Sequence, residues 1–177
     1  MRLMNKVWLL GGILSLILLQ VSCAFSSSEN KRTMLQEANA MLGQEIDFGN
    51  DSVIYESTLK IITLVADTGD CTTCSMQVYD WYLYKLDLNN KSLKCDIVYI
   101  LHDSVRLNSE VQKLLGYYNL YYTTNFQSFV ERNKGIATGT FNTFLVGKDN
   151  RIKLVGSPLN NEKLWSLYKE VIIKESR

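Results

Sequence analysis

Cys71-Thr72-Thr73-Cys74 places two thiols three residues apart, after the polar stretch Ala66-Asp67-Thr68-Gly69-Asp70 and before an amphipathic run. In a first helical turn, residues at that spacing share one face, close enough for their sulfurs to bond. The leading thiol then meets unpaired backbone N–H groups and the positive end of the helix dipole, which favour the thiolate. Thiols so placed have pKa values from about 3.5 to about 7, against about 8.5 for a free cysteine. The chemistry this predicts is thiol–disulfide exchange, in which Cys71 attacks and Cys74 resolves the mixed disulfide. Asp70 stands where a helix N-cap belongs, yet its charge and that of Asp67 oppose the dipole and push the thiol pKa back up. A disulfide that only staples the helix start would use the same residues, so the motif alone leaves both a redox pair and a structural bridge open.

The elements that must position this pair follow from hydrophobic patterning. Leu59 to Val65 is an apolar run that predicts a buried strand ending at the polar loop. From Cys71 to about Leu88 the period becomes helical, with Cys74, Val78, Trp81 and Lys85 in one row. Leu93 to Leu101 predicts a second buried strand, Ser104 to Leu115 a helix closed by Gly116, Tyr117 to Thr123 a short extended piece, and Asn125 to Arg132 a short helix. Thr143 to Val146 and Ile152 to Val155 flank the turn-forming Gly147-Lys148-Asp149-Asn150-Arg151, as a hairpin does. Leu164, Leu167, Tyr168, Val171 and Ile172 then trace one face of a closing helix. Before the first strong strand, Met34, Leu35, Ala38, Met41 and Leu42 predict a helix stopped by Gly43, and Val53 to Tyr55 a weak strand. An alternating front half implies parallel strands, and the hairpin adds an antiparallel edge. The expectation is a mixed sheet with helices on both faces.

Arg2 and Lys6 precede the apolar run Val7 to Leu19, the pattern of a signal peptide over residues 1–22 and an address for export from a bacterial cytoplasm. Val21-Ser22-Cys23 resembles a bacterial lipobox, which would make Cys23 a lipidation site and the membrane anchor. Ser22-Cys23-Ala24 also fits ordinary cleavage after a small residue. Residues 23–33 then form a polar tether and residues 34–177 one domain. The chain carries 19 basic and 18 acidic side chains, and no basic window forms a nucleic-acid-binding face. In an oxidising compartment beyond the inner membrane, cysteines pair or do redox work. With Cys23 assigned to lipid, Cys95 is left over inside a predicted strand and reads as an inert buried thiol. His102, the single histidine, follows the second strand and reads as a surface residue, so no metal site is expected. Trp81 and Trp165 read as core. Tyr117, Tyr118, Tyr121, Tyr122 and Phe126 form an aromatic-rich stretch that reads as core and edge packing, with a docking or sugar-stacking surface as the alternative.

Taken together, the strand ending in a loop, the CxxC motif opening a helix and the late hairpin resemble the thioredoxin-like superfamily, in particular its exported, membrane-tethered thiol-disulfide oxidoreductases, a branch related to peroxiredoxins. Gly43-Gln44-Glu45-Ile46 resembles that family's opening segment. Phe141-Asn142-Thr143-Phe144-Leu145-Val146 with Val155-Gly156 resembles its closing hairpin. The resemblance implies a three-layer α/β/α sandwich with a mixed central sheet. It also implies Cys71 and Cys74 as the catalytic pair, and a substrate groove lined by Asn142, Thr143, Thr72 and Thr73. No cofactor is implied beyond the dithiol itself. The partners implied are a thiol or disulfide protein substrate and an envelope redox partner. The sequence departs from the family pattern in three places. Asn142 stands where the family has a cis-proline, Val65 where thioredoxins often bury an Asp, and the Trp and Pro that commonly surround the motif are absent. These departures point to a specialised oxidoreductase or to a non-catalytic binding module that keeps its disulfide for stability. A peroxide-reducing site would need a Pro/Thr-rich pocket that Asp70 to Cys74 does not supply.

Overall fold

The computed structural model describes residues 30–50, 59–66, 76–136 and 140–176. The chain divides into two units, Met1–Asn39 and Ala40–Arg177. Residues 30–41 are helical (α1), and the chain leaves this helix through Gly43, whose φ of 78° is left-handed and suits glycine. The expected weak strand at Val53 to Tyr55 lies outside the described residues, as does the expected signal segment.

The second unit is built on five strands: β1 (Leu59–Val65), β2 (Cys95–Leu101), β3 (Tyr121–Thr123), β4 (Thr143–Val146) and β5 (Ile152–Val155). They form one sheet in the order β3-β2-β1-β4-β5. β1 pairs in parallel with β2 and β2 with β3, whereas β4 runs antiparallel to both β1 and β5. Every residue of β1 is buried, as expected of a central strand covered on both faces. Alternation divides its side chains between two cores. Leu59, Ile61 and Val65 join one cluster, Ile62 and Leu64 the other.

Helices α2 (Val78–Asn90), α3 (Ser109–Tyr118) and α5 (Glu162–Glu175) cover the first face, contributing Trp81, Leu88, Leu115, Trp165 and Tyr168. On the second face Phe129 of α4 (Phe126–Arg132) packs with Met41, Ile46 and Phe48. The result is three layers, helices–sheet–helices, around a mixed sheet. Gly43 to Ile46 lies along β5: the Gly43 and Ile46 N–H groups donate to the carbonyls of Ile152 and Asn150, each at 2.8 Å, and Glu45 bridges to Arg151.

Four boundaries differ from the sequence expectation, each for a local reason. α3 begins at Ser109 rather than Ser104, because the Asn108 carboxamide caps it by accepting from the Val111 N–H at 2.9 Å, while the Ser104 N–H and hydroxyl are engaged with His102 Nδ1. It also runs through Gly116 to Tyr118 and stops at Asn119, which takes the left-handed conformation with φ 54°. The extended piece therefore shrinks to Tyr121–Thr123, and Tyr117 turns outward, 78% exposed. β2 starts at Cys95, since the Leu93 N–H still donates to Leu88 to close α2. Tyr121 is exposed as well, and the Tyr118 ring stacks on Tyr82 at 3.9 Å, so part of the aromatic stretch lies on the surface rather than in the core.

Candidate functional site

Topology gathers five chain segments at one end of the sheet. β1 ends at Val65 and leads into Ala66. Because β4 is antiparallel to β1, with Thr143 opposite Thr63, β4 begins beside the end of β1. β5 returns antiparallel to β4, so Gly156 to Leu159 leaves it at the same end. The start of α2 and the first residue of α4 complete the ring. Between them lies a cavity of about 380 Å³ whose wall includes Thr63, Ala66, Met76, Trp81, Phe126 and Asn142.

The approach to α2 is not a simple helix start. Gln77, also in the wall, adopts a left-handed conformation (φ 48°, ψ 43°) and gives no side-chain cap, so the uninterrupted helix begins at Val78. Of the row expected to run through Cys74, Val78, Trp81 and Lys85, the last three lie on α2 and Cys74 lies outside the described residues. Trp81 is buried at the cavity, and Val65 is likewise buried and apolar. None of the described wall residues is ionisable. The described walls supply shape, apolar surface and neutral hydrogen-bonding groups.

Two of the four expected groove residues, Asn142 and Thr143, stand in this wall. Asn142 is exposed; its carbonyl accepts from the Leu64 N–H at 2.7 Å and its side-chain oxygen from the Thr143 hydroxyl at 3.1 Å. Among the described residues no peptide bond is cis, so Asn142 presents its backbone without the bend that a cis-proline gives. Cys71, Cys74, Thr72 and Thr73 lie outside the described residues, as does Cys23. Their segment leaves the described chain at Ala66 and rejoins it at Met76, and both of these residues stand in the cavity wall.

Thr63 is a site residue that sequence reasoning missed. It is only 7% exposed, and its Oγ1 has no hydrogen-bond partner among the described residues. Leaving a buried hydroxyl unpaired costs about 1–3 kcal/mol. A threonine in a strand is ordinary, so nothing in the sequence marks this one; its meaning comes from β4 arriving alongside.

Two other reactive side chains lie outside the cavity wall. Cys95 is 2% exposed at the start of β2, the far end of the sheet, where burial pushes its thiol up to about 12. It is a poor nucleophile there. His102 follows β2, its backbone N–H donating to Val65 and its ring set edge-on to Phe126 at 5.3 Å. No group of three His, Cys, Asp or Glu side chains suited to a metal ion occurs among the described residues.

A five-stranded mixed sheet between helical layers, with a parallel β1–α2–β2 front and a closing antiparallel hairpin, is the thioredoxin-like fold. No protein-family model and no curated protein matches the chain. Among solved structures it is similar to the thioredoxin domain of a thiol-disulfide oxidoreductase from Bacteroides vulgatus, at 14% identity over 72% of this chain and 91% of that one, with a TM-score of 0.44. It is also similar to copper-bound Sco1 from yeast, at 15% identity over 77% and 94% with a TM-score of 0.49, and to StoA from Bacillus subtilis, at 15% over 71% and 94% with a TM-score of 0.39. The assignment itself rests on the strand order and register.

Proposed function

We propose that this chain is a cell-envelope thiol-disulfide oxidoreductase, exported and held to a bacterial membrane through lipid on Cys23. In the reducing direction the Cys71 thiolate attacks one sulfur of a substrate disulfide, forming a mixed disulfide and releasing the other sulfur as a thiolate. Cys74, losing its proton, then attacks the Cys71 sulfur and expels the second substrate thiolate. The substrate gains two electrons and the chain is left with a Cys71–Cys74 disulfide, which an envelope redox partner must reduce. The same steps reversed oxidise a substrate dithiol, and the pair's potential decides which way electrons flow.

One observation carries this reading: the two ends of the CxxC segment, Ala66 and Met76, stand in the wall of a single cavity that Asn142 and Thr143 border from the hairpin side. Exchange with a substrate disulfide requires a recess beside the reacting sulfurs. A structural bridge requires none.

The test is the potential of the Cys71–Cys74 pair in a glutathione or dithiothreitol series, together with capture of mixed disulfides by Cys74→Ala. A value between about −270 and −120 mV with envelope proteins trapped on Cys71 is expected. A potential far below about −300 mV and no trapped partner would instead assign the bridge to stability alone.

A further inference from the structure

We propose that α1 lies on the surface of the bilayer that holds the chain, its exposed apolar stripe sunk among the phospholipid headgroups, as a second attachment after the lipid on Cys23. This rests on the lipid-anchor part of the reading above and goes beyond it by giving the helix that follows the anchor a partner.

The first observation is the stripe itself. Met34, Leu35 and Leu42 are 47%, 56% and 43% exposed, large apolar side chains left on the surface within one short stretch of chain. Met34, Ala38 and Leu42, the last just past the helix end, follow i, i+4, i+8, and Leu35 and Leu42 are seven apart, so all four share one side. Met41, beside them, is buried with Ile46 and Phe48 in the core of the second unit and takes no part in the stripe.

Charge points the same way. Lys31 and Arg32 stand one turn before Met34 and Leu35, and both are exposed. Anionic headgroups attract cations so placed, and the long stems of lysine and arginine let the charges stay in the headgroup layer while their apolar neighbours go deeper. Glu37, the acid among residues 30–41, is two positions beyond Leu35 and falls off the stripe.

The chain before the helix names the occupant. Asn30 follows Cys23 by seven residues, so the start of α1 stands no more than about 25 Å from the anchored cysteine. A stripe too small to draw a free protein to a membrane is held against one there, because the anchor has already removed the freedom that binding would otherwise have to overcome. Crossing is excluded: no helix among the described residues is long and apolar enough to span a membrane. A short amphipathic helix kept at a bilayer then lies in its interface.

The experiment uses the full chain, extracted from the membranes of cells that express it. It is reconstituted into phosphatidylethanolamine vesicles with about a quarter phosphatidylglycerol, their acyl chains brominated near the headgroup. Leu35→Trp reports from the stripe and Gln36→Trp from the far side of the helix; both positions are exposed, so neither change disturbs packing. The parent's own tryptophans set the baseline. The expected result is that Leu35→Trp emission is quenched about threefold more strongly than that of Gln36→Trp. Equal quenching at the two positions, or none at either, would overturn the proposal. Emission of Leu35→Trp that is blue-shifted yet unquenched would place the stripe against protein, a second copy included, and overturn it as well. Mass spectrometry of the same sample reads the anchor separately. If Cys23 carries no lipid, the two variants are held on the vesicles by an N-terminal polyhistidine tag and a nickel-chelating lipid. Quenching at residue 35 through the tag keeps α1 on the membrane and sinks the lipid anchor; lipid on Cys23 with equal quenching keeps the anchor and sinks the helix.

Discussion

Thr63 and Thr143 lie opposite each other in the β1–β4 ladder, and only one of the two hydroxyls has a partner. Directly opposed residues on neighbouring strands share a face, so both are turned toward the α2 side of the sheet. Thr143 uses its hydroxyl to hold the Asn142 side chain at the mouth of the cavity. The Thr63 hydroxyl, buried beside it, has no such bond.

That asymmetry predicts opposite effects of the same substitution on the ligand-free chain. Thr143→Val breaks the bond to Asn142 and should lower stability by about 1 kcal/mol. Thr63→Val relieves an unpaired group and should raise stability by a similar amount. Urea unfolding of both variants checks this. Equal losses would mean that the Thr63 hydroxyl is satisfied after all.

Gly156 carries a second prediction. Its N–H donates to Thr143 at 2.8 Å, its carbonyl accepts from the Tyr168 hydroxyl at 2.6 Å, and its φ is 104°. A Cβ here would meet Leu164 at an ordinary 3.7 Å, so space is not the obstacle. The backbone is, because an L side chain strongly disfavours that conformation. Gly156→Ala should cost about 1–3 kcal/mol. A melting temperature lowered by about 2–4 °C per kcal/mol is the readout, and an unchanged one would refute the strain.

How much of this was legible beforehand varies with the range of the interactions involved. β1 and the β4–β5 hairpin fall at the expected residues, because an apolar run bounded by polar loops, and two short runs around Gly147 to Arg151, are set by local chemistry. α3 was misplaced at both ends because Ser104 and Gly116 are plausible signals that lose to Asn108 and Asn119, and the competition is settled by side-chain bonds that sequence does not display. At the cavity, Asn142 and Thr143 are the residues that the resemblance to the closing hairpin singles out. Thr63, Gln77 and Phe126 are not, since they come from three elements that meet only when β4 returns antiparallel to β1. The left-handed Gln77 has no sequence mark at all, being a residue that ordinarily continues a helix.

The acid limb of stability should belong largely to Asp87. Burial alone would raise its pKa, but the hydrogen bonds it accepts from Lys91, Lys169 and Trp165 outweigh this and hold the carboxyl at about 2, against an ordinary 3.8. The Trp165 and Lys169 bonds are 2.8 and 3.0 Å and tie α5 to α2. With the folded value depressed, the stabilisation is fully present above about pH 4 and is lost as pH falls through about 2. The carboxylate is a third exposed, so solvent screening limits the contribution to about 1 kcal/mol. Asp87→Asn should lower stability by about that much at pH 7 and flatten the limb between pH 4 and 2. Parallel limbs in parent and variant would show that Asp87 is not its source.

Cys95 should govern the onset of the alkaline limb. Burial raises its thiol from 9.0 to about 12, against a weaker opposing pull from the Lys85 charge. The unfolded chain then releases this proton near pH 9 while the folded chain keeps it, so the stability present below pH 9 drains away as pH climbs toward 12. Tyr99 and Tyr168 are also raised by burial, but from an unfolded value of 10.0, so their share of the slope begins later, while Lys60, lowered by burial, pulls the opposite way. Cys95→Ala should cost about 1 kcal/mol at neutral pH through lost packing, yet remove most of the slope between pH 9 and 10. In the folded parent at pH 8, iodoacetamide should leave Cys95 unmodified, and in denaturant it should alkylate it. Rapid native-state alkylation would mean that the start of β2 opens readily, and would remove the ground for treating this thiol as a bystander to the chemistry at the other end of the sheet.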